Sequence, residues 1–306
     1  MAHNFYYLIV YIIIVSLQFT VIICNGFILF LFNREKSLRQ NLSQQVVVLL
    51  TITDFIFAVT ILPFTVYFII SWNADHLNLS SHYVIISCIP VVAFLKINLT
   101  LTISIALERT LALYFPLLFR KLYHHSYALF SLLFGSLLAV LDLVLEFSLS
   151  SFKSAPNCAA IGCFLSKTFS SYWGISSMMM GIVVIILTIL VFTRLRAIWQ
   201  NPHPSGVVNS KEKGFTKTNR RSIIILFSSL VSVTLTSVGQ GLANMIGFRL
   251  ANNLGPLNII GLLCAGACSS VVFISLNKEI RETAKNFIFR KNQTTAVTTM
   301  TGTLGG

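Results

Sequence analysis

Residues 84–123 read VIISCIPVVAFLKINLTLTISIALERTLALYFPLLFRKLY. From Val84 to Phe115 the stretch is apolar, interrupted only by Lys96 and by the adjacent pair Glu108 and Arg109, and it runs into Pro116 and a basic Arg120-Lys121. At 1.5 Å per residue a helix of that length exceeds the ~30 Å hydrocarbon core of a bilayer, so it is read as a membrane span. A charged pair at one end, followed by Pro and basic residues, marks that end as cytoplasmic, because Lys and Arg accumulate on the inner side of membranes.

Working outward from 84–115, six further stretches are apolar over spanning length: 5–32, 46–71, 126–149, 171–193, 222–248 and 256–276. The first has neither a basic leader nor a small-residue cleavage site, so it is expected to be retained as a span. Composition agrees. Of 306 residues 55% are hydrophobic and 10% charged, against about 25% charged in soluble domains. The fold class expected is an all-α membrane protein, a seven-transmembrane helix bundle. Residues 1–290 form one domain, including a short amphipathic interfacial helix at 277–290, and residues 291–306 form a disordered cytoplasmic tail.

The net charge of +13 falls in short connections between apolar runs, which excludes a nucleic-acid groove on a soluble face. With the N-terminus outside and the C-terminus inside, 18 of the 22 Lys and Arg lie on the cytoplasmic side; Lys153, Lys167 and Arg249 lie outside, and Lys96 lies within a span. Of the sequons at Asn41, Asn78, Asn98 and Asn292, only Asn78 faces the lumen in that topology and is the expected glycosylation site.

Charged and polar residues inside spans are costly in hydrocarbon and mark packed interiors or cavities. Asn25 lies in the first span, Asp54 in the second with Pro63 nine residues on, and Glu108 and Arg109 close the third. Together these resemble the rhodopsin-like G-protein-coupled receptors. The ERTLALYFP-x-x-FRK segment is similar, more narrowly, to the nematode serpentine chemoreceptors of class BC, and the resemblance covers nearly the whole chain. It implies a chemosensory receptor in the plasma membrane of sensory cilia. The expected ligand is an extracellular odorant or pheromone-like small molecule, acidic ligands included, and the expected partners are a heterotrimeric G protein, the lipid bilayer and a second receptor copy. Glu108 and Arg109 then form the resting lock and part of the G-protein cavity, which Arg220 and Arg221 border. It also implies a disulfide from Cys88 to Cys158 or Cys163 on the oxidising side.

Departures from that pattern stand out. Ser269, Ser270, Val271, Val272 and Phe273 occupy the place of Asn-Pro-x-x-Tyr in the seventh span, and the sixth span has no interior Pro. With Asn98 and Ala265 near Asp54, a sodium site is not expected; a buried, hydrogen-bonded Asp54 with Asn25 and Asn98 as an interior polar network is.

Lys96 sits mid-membrane and needs a partner. Asp142 and Glu146 share one face of the fourth span, four residues apart. Two readings stay open: an ion pair between the third and fourth helices, or a ligand contact at the base of an outward-open cavity, with Gln240 and Asn244 opposite and Trp173 along the wall. No Lys in 256–276 means no retinal Schiff base, and no HExxH, GxSxG or paired-Asp arrangement supports an enzyme, a metal site or a cofactor. A small solute or proton-coupled transporter is the competing function, set against the lack of an internal repeat.

Overall fold

The computed structural model describes residues 2–34, 45–73, 79–115, 124–150, 161–200, 234–246, 255–276 and 281. Its helices run Ala2–Arg34, Gln45–Thr60 with Leu62–Ile70, Ser81–Tyr114, His124–Leu149, Lys167–Gln200, Leu235–Ile246 and Gly255–Leu276, and a 3-10 turn covers Ile161–Cys163. They are numbered first to seventh, the two pieces of the second taken together. Six are long and apolar enough to cross a membrane; the sixth is described over 12 residues only. The interfacial helix at 277–290, apart from Arg281, and the tail lie outside the described residues.

Several helices outrun the expected spans. The fifth covers 34 residues, not the 23 of 171–193, because an apolar count stops near Lys167 and Arg194 while the helix continues into the headgroup zone, where long cationic side chains reach polar groups. The second helix breaks at Ile61, where Pro63 removes a backbone donor at the first turn of Leu62–Ile70. The Thr65 hydroxyl sits 2.9 Å from the Leu62 carbonyl and 3.0 Å from Gln18 Oε1, tying the break to the first helix.

The third helix is the axis of the bundle. In its most apolar window 61% of residues are buried, against 28% in the fourth and fifth helices. It packs against the second, fourth and fifth, while the first packs on the second and seventh and the fifth on the sixth. The end where the third helix reaches Tyr114 is termed the inner end below.

The fourth helix shows how sequence sets orientation. Its buried residues are Ala128, Ser131, Gly135, Ala139, Asp142 and Glu146, one stripe at spacings of three and four, whereas Phe130, Leu133, Leu137, Val140 and Val144 face outward. Apolar out and small or polar in is the pattern of a helix solvated by lipid. Small residues permit close approach: a Cβ on Gly135 would stand 3.3 Å from the Ile97 Cα on the third helix, and one on Gly241 only 2.7 Å from the Met178 Cβ on the fifth.

Candidate ligand and signalling sites

Three polar clusters lie along the third helix. In the first, Lys96 donates to Ser176 Oγ on the fifth helix at 2.6 Å and stands 3.5 Å from Asp142 Oδ2 on the fourth. Tyr172, one turn from Ser176, donates to Asp142 Oδ1 at 3.1 Å. Lys96, Asp142 and Glu146 are 1%, 2% and 1% exposed, so the charges are enclosed by protein. Glu146 sits one turn further out on the same stripe, and its Oε2 has no hydrogen-bond partner. Trp173, buried and stacked on Phe169 with centroids 6.5 Å apart, likewise leaves its Nε1 without one. The reading in which Lys96 pairs with a carboxylate of the fourth helix thus has its geometry here, with Asp142 and not Glu146 as the nearer group.

The second cluster joins the first, second, third and seventh helices. Asn98 Nδ2 donates to Asp54 Oδ1 at 2.9 Å, and the Ser270 hydroxyl donates to Asn25 Oδ1 at 2.7 Å. Gly266 lies directly beside Asp54: a Cβ there would meet Asp54 Cγ at 3.2 Å. Asp54 therefore rests against the backbone of the seventh helix, which a larger residue would prevent. Interhelical hydrogen bonds of this kind contribute about 0.6 kcal/mol on average and up to about 1.7.

The third cluster is at the inner end. Glu108 Oε1 and Arg109 Nη2 are 3.7 Å apart, both side chains buried. That separation is an ion pair and longer than a hydrogen bond, so the two groups attract without a fixed donor–acceptor geometry. Around them Tyr127 of the fourth helix donates to the Ser104 carbonyl at 2.8 Å, and Arg194 of the fifth helix lies 5.4 Å from the centroid of the Tyr114 ring.

A family model described as serpentine type 7TM GPCR chemoreceptor Srbc matches residues 3–279. The chain belongs to this family. It is therefore a chemosensory seven-helix receptor of the membrane, consistent with its long apolar helices. A comparison with curated proteins gives no match.

One expectation for this Srbc receptor is corrected. Cys88 is a free, buried thiol, whereas Cys163 is disulfide-bonded; Cys158 lies outside the described residues. Cys88 sits only 21 residues before Arg109, about a turn deeper in the helix than the implied pairing needs, and its buried thiol packs in the core that Val84, Val91 and Val92 share with Ile161 and Phe164. Cys24, Cys264 and Cys268 are also free.

The sequence-predicted residues divide by place. Lys96 and Asp142 come together, with Glu146 on the helix of Asp142 and Trp173 on the fifth helix beside Tyr172; Asp54 and Asn98 come together in the middle, while Asn25 meets Ser270; Glu108 and Arg109 pair at the inner end. Arg220 and Arg221 lie outside the described residues, as do the side chains of Gln240 and Asn244. Sequence reasoning missed Tyr172, Ser176, Gln18 and Thr65, and named Ser270 only as a departure from the Asn-Pro motif, not as a bridge to Asn25. Hydroxyl and amide residues are frequent in spans and usually bond their own helix, as Thr100 and Ser104 do here, so nothing in the sequence separates the bridging ones. For Gln18 alone a signal was available, its helical spacing on the buried stripe of Tyr7, Tyr11, Ile14, Val21 and Asn25.

Proposed function

We propose that this Srbc receptor sits in the plasma membrane of chemosensory cilia with its N-terminus outside, binds an extracellular small molecule in its outer half, and promotes nucleotide exchange on a heterotrimeric G protein. Residues 1–290 act as one receptor domain, and the basic residues Arg220 and Arg221 border the G-protein cavity with the inner ends of the third and fifth helices. The 18-to-3 division of Lys and Arg supports the orientation.

The observation that carries the proposal is the buried Glu108–Arg109 pair at the inner end of the central helix. In the pair itself the guanidinium and the carboxylate attract at 3.7 Å and not through a bidentate bond, so a partner offering Arg109 a hydrogen-bonded acceptor competes with Glu108 for the guanidinium. Glu108 would hold the resting arrangement, and Arg109 would receive the partner.

The test is ligand-stimulated nucleotide exchange on co-expressed Gα, with nematode-conditioned medium as ligand source, for wild type beside Arg109→Ala. Surface labelling and glycosylation at Asn78 control display and orientation. Exchange by wild type that is lost in Arg109→Ala at equal surface level is expected. A correctly displayed wild type that drives no exchange with any Gα class, or an Arg109→Ala variant that signals fully, would overturn the coupling role.

A further inference from the structure

The outer cluster contains more acid than base. Lys96 contributes one amine, and Asp142 and Glu146 two carboxyl groups, all enclosed. Lys96 is already committed, to Ser176 at 2.6 Å and to Asp142 at 3.5 Å, and Asp142 is bound from its other oxygen by Tyr172. Glu146 is the group left over, with Oε2 buried and without a hydrogen-bond partner. An isolated buried carboxylate is costly, and the occupant that relieves the cost is a cation carrying N–H donors.

The surroundings of Glu146 fit the same ligand. The fourth and fifth helices run antiparallel and are joined at two rungs. At the outer one the Ser166 amide donates to Ser150 Oγ at 3.2 Å, and one helical stretch further in Tyr172 meets Asp142. Glu146 lies between Ser150 and Asp142, and Phe169 and Trp173 lie on the facing stretch of the fifth helix. Both aromatic residues are buried, four apart on one face, with rings at 11° and 6.5 Å. A carboxylate level with a stacked aromatic pair is the combination that selects ammonium groups, the charge meeting the acid and the C–H shell meeting the ring faces. Cys88 of the third helix is the electrostatic neighbour of Glu146 on the remaining side and adds no charge of its own as a thiol.

We propose that the outer cluster of this receptor takes a protonated primary or secondary amine, with Glu146 as its counter-ion and the Phe169–Trp173 pair as its wall, and that Lys96 and Asp142 hold the floor of the site. This rests on the chemoreceptor reading for its physiological meaning, but the binding it asserts is independent of G-protein coupling. It reverses the expectation of an acidic ligand drawn to Lys96.

The experiment measures binding and not signalling. Purified receptor in lipid nanodiscs is titrated with hexylamine and phenethylamine and with the carboxylates of matched skeleton, heptanoate and 3-phenylpropanoate, following the melting temperature with a dye that reacts with thiols exposed on unfolding. Wild type, Glu146→Gln and Glu146→Asp are compared, the Asp variant keeping the charge if Gln impairs folding. Stabilisation of wild type by the amines and not the carboxylates, retained in part by Glu146→Asp and at least tenfold weaker in Glu146→Gln, is the expected result. Stabilisation by the carboxylates instead, amine stabilisation equal in all three proteins, no amine shift in wild type, or stabilisation by acid pH to which amines add nothing would each overturn the proposal. Each of those outcomes leaves the Arg109 exchange test unaffected.

Discussion

Replacing Lys96 by Met keeps most of the side-chain volume and deletes the ammonium from a pair whose side chains are 2% and 3% exposed. At an effective dielectric constant of about 20, unit charges 3.5 Å apart attract by about 5 kcal/mol. The variant need not lose all of that, because Asp142 can take up a proton instead. From an ordinary carboxylic acid near 3.9, doing so at pH 7 costs about 4 kcal/mol at 1.36 per unit. Tyr172 remains to donate to Asp142 and softens the loss further, so a destabilisation of about 3–4 kcal/mol is expected, within the usual range for breaking a buried pair. At about 2.1 cal/mol/K of unfolding entropy per residue, a chain of this size drops by about 5–6 °C in melting temperature. The double variant Lys96→Met with Asp142→Leu removes both charges and should recover most of the drop, since apolar replacements of buried pairs are often neutral. A thiol-reactive dye reports the melt on purified protein. A single variant that melts within about 2 °C of wild type, or a double variant no better than the single, would refute the claim that these charges hold each other in an enclosed site.

Three further outcomes follow from contacts elsewhere. Gly241→Ala sets a Cβ 2.7 Å from the Met178 Cβ and 2.9 Å from the Gly174 carbonyl, so the fifth and sixth helices must part and about 1–3 kcal/mol is lost, whereas Gly239→Ala meets nothing within 4 Å and should melt like wild type. Asn98→Leu removes the donor to Asp54 and should destabilise by about 1–3 kcal/mol, more than Asp54→Asn, which leaves a neutral amide partner; thermal melts of the two variants check the order. Alkylation of denatured, unreduced protein should label Cys88 and spare Cys163, read by mass spectrometry of the peptides; protection of Cys88 would restore the pairing the family resemblance implied.

The bundle was legible in the sequence because lipid imposes a simple rule, that long apolar runs are helices. The positions of charges within those runs were equally legible, since a charge in hydrocarbon must face inward: Lys96, Asp142, Asp54, Glu108 and Arg109 are all buried. Partner choice was less so. The four-residue spacing of Asp142 and Glu146 put both within reach of Lys96, and only the level at which the fourth helix packs on the third, with Gly135 against Ile97, makes Asp142 the nearer. Cys88 was misplaced because the implied pairing was carried over from a pattern whose spacing this third helix does not keep. The break in the second helix at Ile61 could have been read from Pro63, as proline excludes the regular helix one turn before it.

The placement of all three clusters on one helix constrains how a ligand could act on the inner end. Lys96 and Asn98 are two residues apart, so their side chains leave the third helix on nearly opposite sides, one toward Asp142 and Ser176, the other toward Asp54. A ligand held by Glu146 on the fourth helix and by Trp173 on the fifth changes the balance of attractions across which Lys96 is suspended. Any axial shift or rotation of the third helix in response is resisted by Asn98, whose contact to Asp54 ties it to a side chain resting on Gly266 of the seventh helix. Arg109 lies thirteen residues beyond Lys96, about 20 Å along the same helix, and moves with it because an intact α-helix is far stiffer along its axis than the 3.7 Å contact to be exchanged at its end. On the proposed function, the central polar network therefore sets the threshold that binding energy must exceed. On that same proposal, transmission would need neither a proline-kinked sixth helix nor the seventh-helix Asn-Pro motif, since Lys96, Asn98 and the Glu108–Arg109 pair all lie on one helix.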